Sequence, residues 1–208
     1  MCGIAGCLTK DLINNNLINK ILNSMYNRGP DNQDKVRFEV GKKNLYLFHS
    51  RLSIIDLEPR SHQPFKFKNY TLVFNGEIYN FKDIRDHLIS LGYKFKTKSD
   101  TEVIIKAFSE WKTDCFKKFI GMWSIAIWDD KIKKLYLSRD RFGEKPFYYI
   151  TYRDEFYFAS ELKTLKIIFN KKMELNSRKI TDFLFKGYKS IKKDEATFIK
   201  DVMQLKPS

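Results

Sequence analysis

Beyond Gly121 the sequence is built from short strand-like runs, and what separates them is turn rather than helix. Met122 to Trp128, Leu135 to Ser138, Phe147 to Thr151 and Glu155 to Ala159 are rich in β-branched and aromatic residues. Asp129-Asp130-Lys131 and Arg153-Asp154 read as hairpin connections between them. Hairpins join antiparallel neighbours, so this half of the chain points to antiparallel sheet. Upstream, strand-like alternation recurs in Asn44 to Phe48 and in Tyr70 to Phe74. Helical spacing marks residues 11–26, through Leu12, Ile13, Leu17, Ile21, Leu22 and Met25. Phe81, Ile84, Leu88 and Leu91 form a second helical face, which Gly92 would stop. Ser99-Asp100-Thr101-Glu102 has the form of a capping box ahead of Val103, Ile104, Ala107, Phe108 and Trp111. Ser177 is placed to cap a last helix through Leu184, with Gly187 ending it. With no regular βαβ alternation, these patterns predict an α+β fold of antiparallel sheets covered by helices.

The chain's 208 residues suit one large domain or two small ones, and 43% hydrophobic residues supply an ample core. The net charge is +14, but lysine far outnumbers arginine and is spread along the whole chain. No arginine-rich stripe accompanies it, so a solvated lysine surface is expected and no nucleic-acid partner. Cys2, Cys7 and Cys115 show no C-x-x-C spacing and no nearby histidine, which argues against a disulfide framework or a metal site and fits a reducing, cytoplasmic setting. No run approaches transmembrane length, so no membrane association is expected.

Cys2 stands behind Met1 and ahead of Gly3-Ile4-Ala5-Gly6. Initiator methionine is normally trimmed before so small a side chain. Trimming would leave thiol and α-amine on one residue, and that amine, with an ordinary pKa of about 7.7–8.0, can accept a proton near neutrality. One residue then supplies nucleophile and general base. An ordinary small buried residue near a chain start is the competing reading.

Four polar clusters interrupt the apolar runs: Arg28-Gly29-Pro30-Asp31, His49 to Asp56, Phe74 to Asn80, and Ser99 to Glu102. A thiol that hydrolyses an amide needs donors aimed at the developing oxyanion, which an Asn side chain and an adjacent Gly N–H can provide. An amino-acid substrate needs a cation for its α-carboxylate, best met by the planar fork of arginine, and an anion for its α-ammonium. Asn75, Gly76, Arg51, Asp100 and Glu77 match that inventory. Each has a plainer alternative. Asn75-Gly76 between apolar runs is more often a hairpin turn, Arg51 a surface or ion-paired residue, and Asp100 a charge at a helix N-terminus. His49, His62 and His87 are scattered and read as structural or exposed.

Several motifs occur in order: MCGIAG, RGPD, RLSIIDL (51–57), QPF (63–65), VFNGEIYNF (73–81), SDTEVI (99–104), GMWSIAIWD (121–129), SRDRFGEKPFYY (138–149) and FASELKTL (158–165). Together they resemble the N-terminal glutaminase domain of glutamine-hydrolysing asparagine synthetases, which are class II glutamine amidotransferases of the N-terminal nucleophile hydrolase type. The resemblance is dense over residues 2–165. It implies an αββα sandwich of two antiparallel sheets between helical layers, with a glutaminase domain over residues 2–190. It also implies that Cys2 attacks the glutamine side-chain amide and that Asn75 and Gly76 form the oxyanion hole. Arg51 would hold the α-carboxylate with help from the Leu52-Ser53-Ile54-Ile55 segment, and Glu77 and Asp100 the α-ammonium.

Two departures stand out, Asn27 where the family often has histidine before RGPD and Phe48 where a glycine is common, and both are expected to tune packing. No Ser-Gly-Gly-x-Asp-Ser loop of an ATP-using domain occurs, and residues 191–208 resemble the start of the junction leading to it. The resemblance therefore implies no metal and no cofactor in this chain, with ATP and Mg belonging to a synthetase domain that it lacks. The implied partners are L-glutamine and that domain, and a homodimer is left open. The implied acceptor of the ammonia is aspartate. The alternative is a carboxylated sugar of a surface polysaccharide or a peptide, served by the same glutaminase chemistry.

Overall fold

In the computed structural model, which describes residues 1–190 and 194–207, the strands form a six-stranded and a four-stranded sheet. The chain opens with β1 (Gly3–Thr9), α1 (Asn15–Ser24), β2 (Asn32–Val40) and β3 (Lys43–Arg51). Then come β4 (Phe65–Phe67), β5 (Tyr70–Ile78), α2 (Phe81–Ser90), α3 (Asp100–Trp111) and the short α4 (Cys115–Lys118). β6 (Gly121–Asp129), β7 (Lys134–Arg139), β8 (Tyr148–Tyr152) and β9 (Glu155–Ala159) follow, then α5 (Leu162–Phe169), α6 (Ser177–Lys186) and β10 (Val202–Gln204). The larger sheet runs β10-β8-β9-β1-β3-β2 and the smaller β4-β5-β6-β7. Every pairing is antiparallel, as the hairpin connections require.

The layering follows from the two-residue period of the strands. Ile4 of β1, Leu45 and Leu47 of β3, Val73 of β5, Ala126 and Trp128 of β6 and Phe158 of β9 share one core, which lies between the sheets. Their strand neighbours point the other way. Ala5, Cys7, Tyr46 and Phe48 pack with Ile18 and Ile21 of α1 and Leu165 and Ile168 of α5. Leu72, Phe74 and Ile125 pack with Ile84 and Leu88 of α2 and Val103, Ile104 and Phe108 of α3. Both faces of the central strands are therefore buried, and the order of layers is helix, sheet, sheet, helix: the αββα sandwich. Phe48, where the resemblance leads one to expect glycine, is buried and stacks on Tyr46 with ring centroids 6.2 Å apart. Asn27 is exposed.

The local readings need adjusting at several ends. The first helix is shorter than the apolar spacing suggests, because the Asn14 side chain caps it by accepting from the Leu17 N–H at 2.9 Å. The last helix is capped by Asn176, not Ser177: Asn176 Oδ1 accepts from the Lys179 N–H at 3.1 Å. At α3, Ser99 Oγ does accept from the Thr101 N–H, at 3.1 Å, but Glu102 does not reach back to close a capping box. Its carboxylate instead takes the N–H groups of Lys96 and Thr97 and pairs with Lys106 at 2.6 Å. Residues 191–193 and 208 of the expected junction lie outside the described residues. The part that is described joins the larger sheet, since β10 pairs with β8 and Val202 is fully buried. No helix among the described residues is long and apolar enough to cross a membrane.

Candidate active site

Gly3, the first residue of β1, pairs with Ser50 near the end of β3, which brings Cys2 alongside Arg51 and Leu52. The Leu52 N–H donates to Cys2 Sγ at 3.4 Å, and the thiol reaches the Leu52 carbonyl at 3.6 Å. Burial pushes the thiol up from its ordinary range, against the Leu52 hydrogen bond, the amino terminus and Arg51, while Asp100 adds to the rise. Met1, which precedes Cys2, also lines the cleft.

The RGPD turn braces this corner. Arg28 Nε donates to the Cys2 carbonyl at 2.9 Å, and Nη1 pairs with Glu161 at 3.3 Å. The Asp31 N–H donates to the Arg51 carbonyl at 3.0 Å, and Asp31 Oδ2 accepts from the Ser53 N–H at 2.6 Å. Ser53 is thereby committed to the turn. It does not line the cleft, unlike its neighbours Leu52, Ile54 and Ile55. Arg51 is buried at the cleft and folds the following loop around itself: Nη1 donates to the Glu58 carbonyl at 3.1 Å, and Nη2 to those of Ile55 and Asp56. Among the described residues Nε and one Nη1 hydrogen have no acceptor, and at 4% exposure Arg51 is not a surface residue.

The hairpin reading of Asn75-Gly76 also fails. Both residues lie within β5, opposite Ser124 and Trp123 of β6. A Cβ on Gly76 would stand 2.1 Å from the Met122 carbonyl oxygen, so only glycine fits. The Phe74 and Ile78 N–H groups point away from β6, to Gln63 Oε1 at 2.7 Å and Asp100 Oδ2 at 3.1 Å. Strand alternation points the Gly76 N–H the same way, into the gap between those acceptors. Asn75 lines that gap too; it is 1% exposed, yet among the described residues neither its Oδ1 nor its Nδ2 has a partner. An unpaired buried amide costs stability, and such a cost is usually kept where a ligand supplies the missing bond.

Asp100 is the first residue of α3, and its Oδ1 takes the Ser99 hydroxyl at 3.4 Å. Burial lifts its carboxyl to about 6, opposed by the bonds from Ile78, Thr101 and Ser99, with Glu77 adding to the rise. Glu77 lines the same cleft, and a cation between the two would relieve their repulsion. The structure thus gathers Cys2, Arg51, Leu52, Ile54, Ile55, Asn75, Gly76, Glu77 and Asp100 around one cleft and leaves out Ser53.

Reading residues one by one did not single out Gln63 or Lys145, and both line the cleft. Gln63 holds β5 through the Phe74 N–H. Lys145 arrives on the loop between β7 and β8, its Nζ 3.2 Å from Met1 Sδ. The signal for Lys145 was a charge lodged between Gly143 and an aromatic run. Among the described residues, no cluster of three or more His, Cys, Asp or Glu is placed to hold a metal.

Residues 1–208 match a protein family described as a glutamine amidotransferase domain. Asparagine synthetase (glutamine-hydrolyzing) 3 of Bacillus subtilis strain 168 is 32% identical over 99% of this chain and 36% of its own length. Putative asparagine synthetase (glutamine-hydrolyzing) 2 of Methanocaldococcus jannaschii is 34% identical over 90% of this chain and 40% of its own length. The chain thus spans well under half the length of these relatives. Among solved structures, glutamine phosphoribosylpyrophosphate amidotransferase from B. subtilis, complexed with ADP and GMP, shares the fold. It aligns with a TM-score of 0.65 at 17% identity, covering 80% of this chain and 43% of its own.

Proposed function

The chain belongs to the glutamine amidotransferase domain family, and from that premise we propose that it hydrolyses glutamine to glutamate and ammonia on Cys2. The observation that carries the reading is the Asn75 amide, buried and unpartnered beside the open Gly76 N–H and across the cleft from the thiol. Glutamine enters with its α-carboxylate toward the spare donors of Arg51 and its α-ammonium between Glu77 and Asp100. Its side-chain carbonyl then meets Asn75 Nδ2 and the Gly76 N–H. With Met1 removed, the Cys2 α-amine takes the thiol proton and sulfur attacks the amide carbon. The oxyanion is held by the two donors until it collapses. The carbon–nitrogen bond breaks, the amine returns its proton to the leaving nitrogen, and ammonia departs. Water, deprotonated by the same amine, attacks the γ-glutamyl thioester, and sulfur leaves to be reprotonated.

Ammonia of this kind serves amidation elsewhere in a longer protein. The asparagine synthetases among the relatives favour aspartate as acceptor, with ATP and Mg used outside this chain. Amide-15N glutamine tests the first half directly: release of labelled ammonium and glutamate, abolished by Cys2→Ala, is the expected result. Undiminished release by that variant overturns it. For the acceptor, the full-length protein given aspartate, ATP and Mg should form labelled asparagine.

A further inference from the structure

Lys145 is an unusual occupant of this cleft. It is 5% exposed, and burying an ammonium is costly unless it is paired. Among the described residues no carboxylate lies within ion-pair distance of it, and its Nζ donates to Met1 Sδ, a weak acceptor. Its placement is not accidental slack in a loop. Asp140 Oδ2 accepts the Lys145 N–H at 3.0 Å, Asp140 Oδ1 accepts the Phe142 and Glu144 N–H groups, and Arg139 Nε donates to the Lys145 carbonyl at 2.6 Å. A buried carboxylate and a buried guanidinium therefore aim this side chain at the amino terminus. The partner it finds there belongs to the one residue that maturation would take away.

We propose that Lys145 is a positioning residue for the Cys2 chemistry: once Met1 is removed, its ammonium faces the freed α-amino group and favours the neutral, proton-accepting form of that amine. The inference rests on the reading of Cys2 as an amino-terminal nucleophile. Met1 Sδ is joined to the Cys2 nitrogen through methionine's own side chain and carbonyl, so Lys145 Nζ stands within a methionine's reach of that nitrogen. Cleavage removes the acceptor and leaves nothing of that residue between the two nitrogens. Like charge disfavours a second cation, so the amine gives up its proton at lower pH than it otherwise would.

The other charges at this corner are Arg28 on the turn after α1, Arg51 ending β3, Glu77 on β5, Asp100 on α3, Asp140 on the Lys145 loop and Glu161 before α5. Glu161 is paired with Arg28, and Asp140 is bound by four backbone N–H groups. Glu77 and Asp100 pull the amine toward its protonated form, and the glutamine ammonium offsets them when it binds. Lys145 and Arg51 are the cations on the opposite side of that balance, and Lys145 is the one whose Nζ reaches Met1.

The test is the titration of the α-amine itself in trimmed protein, with the amino terminus verified by mass. Competitive acetylation of residue 2 by acetic anhydride across the neutral range, in a Cys2→Ser background, reads the amine without any turnover. Lys145→Met and Lys145→Gln, each checked for folding by circular dichroism, should move the titration up by roughly one pH unit. Lys145→Arg should restore it. The acid limb of glutamine hydrolysis with Cys2 intact should move the same way, lowering kcat about tenfold below that limb with little change in KM. Neutral variants that titrate with the unsubstituted protein overturn the proposal, even if glutamine hydrolysis is robust. A shifted amine in a protein that does not hydrolyse glutamine instead overturns the glutaminase reading and leaves the role of Lys145 standing.

Discussion

The Ile78 N–H donates to the Asp100 carboxylate at 3.1 Å, which ties the free edge of β5 to the first turn of α3. Two residues back along that edge is the Gly76 N–H, and two further back the Phe74 N–H, held by Gln63 at 2.7 Å. Two residues of strand rise roughly 6.7 Å. That is comparable to the span of a glutamine from its α-nitrogen to its side-chain carbonyl. On the proposed reading, one strand edge sets the distance between an oxyanion donor and an ammonium acceptor, and a strand is a stiffer ruler than a loop.

Asn75→Ala should separate activity from stability. Loss of an oxyanion donor lowers kcat by about 10²–10³, with KM little changed, because the donor acts mainly in the transition state. The folded protein should not suffer in proportion, since both polar atoms of Asn75 are buried without partners. Removing an unsatisfied buried amide is close to neutral for folding, apart from the small cavity left behind. Glutaminase kinetics and a denaturation curve on the same preparation check this; a large fall in stability would mean that Asn75 is a packing residue.

Gly76→Ala should do the reverse and damage the scaffold first. Its methyl would meet backbone on β6, 2.1 Å from the Met122 carbonyl oxygen and 2.7 Å from Trp123 Cα. Backbone cannot rotate aside as a side chain can, so the strands must part, at a cost of about 1–3 kcal/mol or more. A lowered urea midpoint with unchanged slope, together with lost turnover, is the expected pattern.

Most of the layering was legible because the strands are bounded by turns and the apolar periods are long. Less legible was whatever depends on contacts distant in sequence. Asn75-Gly76 has the composition of a turn, and only pairing with β6 makes it strand. β2 turns Val36, Phe38 and Val40 toward the inter-sheet core, but its first residues, Asn32 to Lys35, are polar and give that short alternation no clear start; pairing with β3 along its whole length sets its bounds. Arg51 and Asp100 were recognisable as charges but not as buried ones, since burial is conferred by the 55–58 loop and by β5. Lys145 was hidden for the same reason: its meaning comes from Met1, 144 residues away.

Asp100 predicts a pH dependence whose sign can be stated. Its carboxyl moves from an ordinary 3.8 to about 6 on folding, so the folded state holds the proton more tightly. The corresponding stability is fully present below about pH 3.8 and is lost as pH rises toward about 6. Above that, the ionised buried carboxylate costs about 3 kcal/mol. Asp100→Asn should flatten this component and make the protein more stable at neutral pH, because the amide oxygen can still accept from Ile78. The same variant should raise KM for glutamine at least tenfold. Denaturant midpoints across this range for both proteins check the first claim, and a variant that melts in parallel with the parent refutes it.

Blocking the amino terminus should silence Cys2 without unfolding anything. If the α-amine is the base, a protein that retains Met1 has thiol, oxyanion donors and substrate contacts in place and still lacks a proton acceptor. Burial already pushes its thiol upward, so an unassisted thiolate is scarce at neutral pH. Retention can be enforced by an added residue between Met1 and Cys2 that aminopeptidases leave alone, and verified by intact mass. The expected outcome is a loss of kcat of at least 10², in the range of lost general-base catalysis, with the thermal midpoint within a few degrees of the trimmed protein. Equal turnover by blocked and trimmed forms would move the base elsewhere in the cleft, and His49 could not take that place. It is fully buried, its Nε2 is 3.1 Å from the Phe74 carbonyl, and burial holds it near pKa 3, far below the range a general base needs.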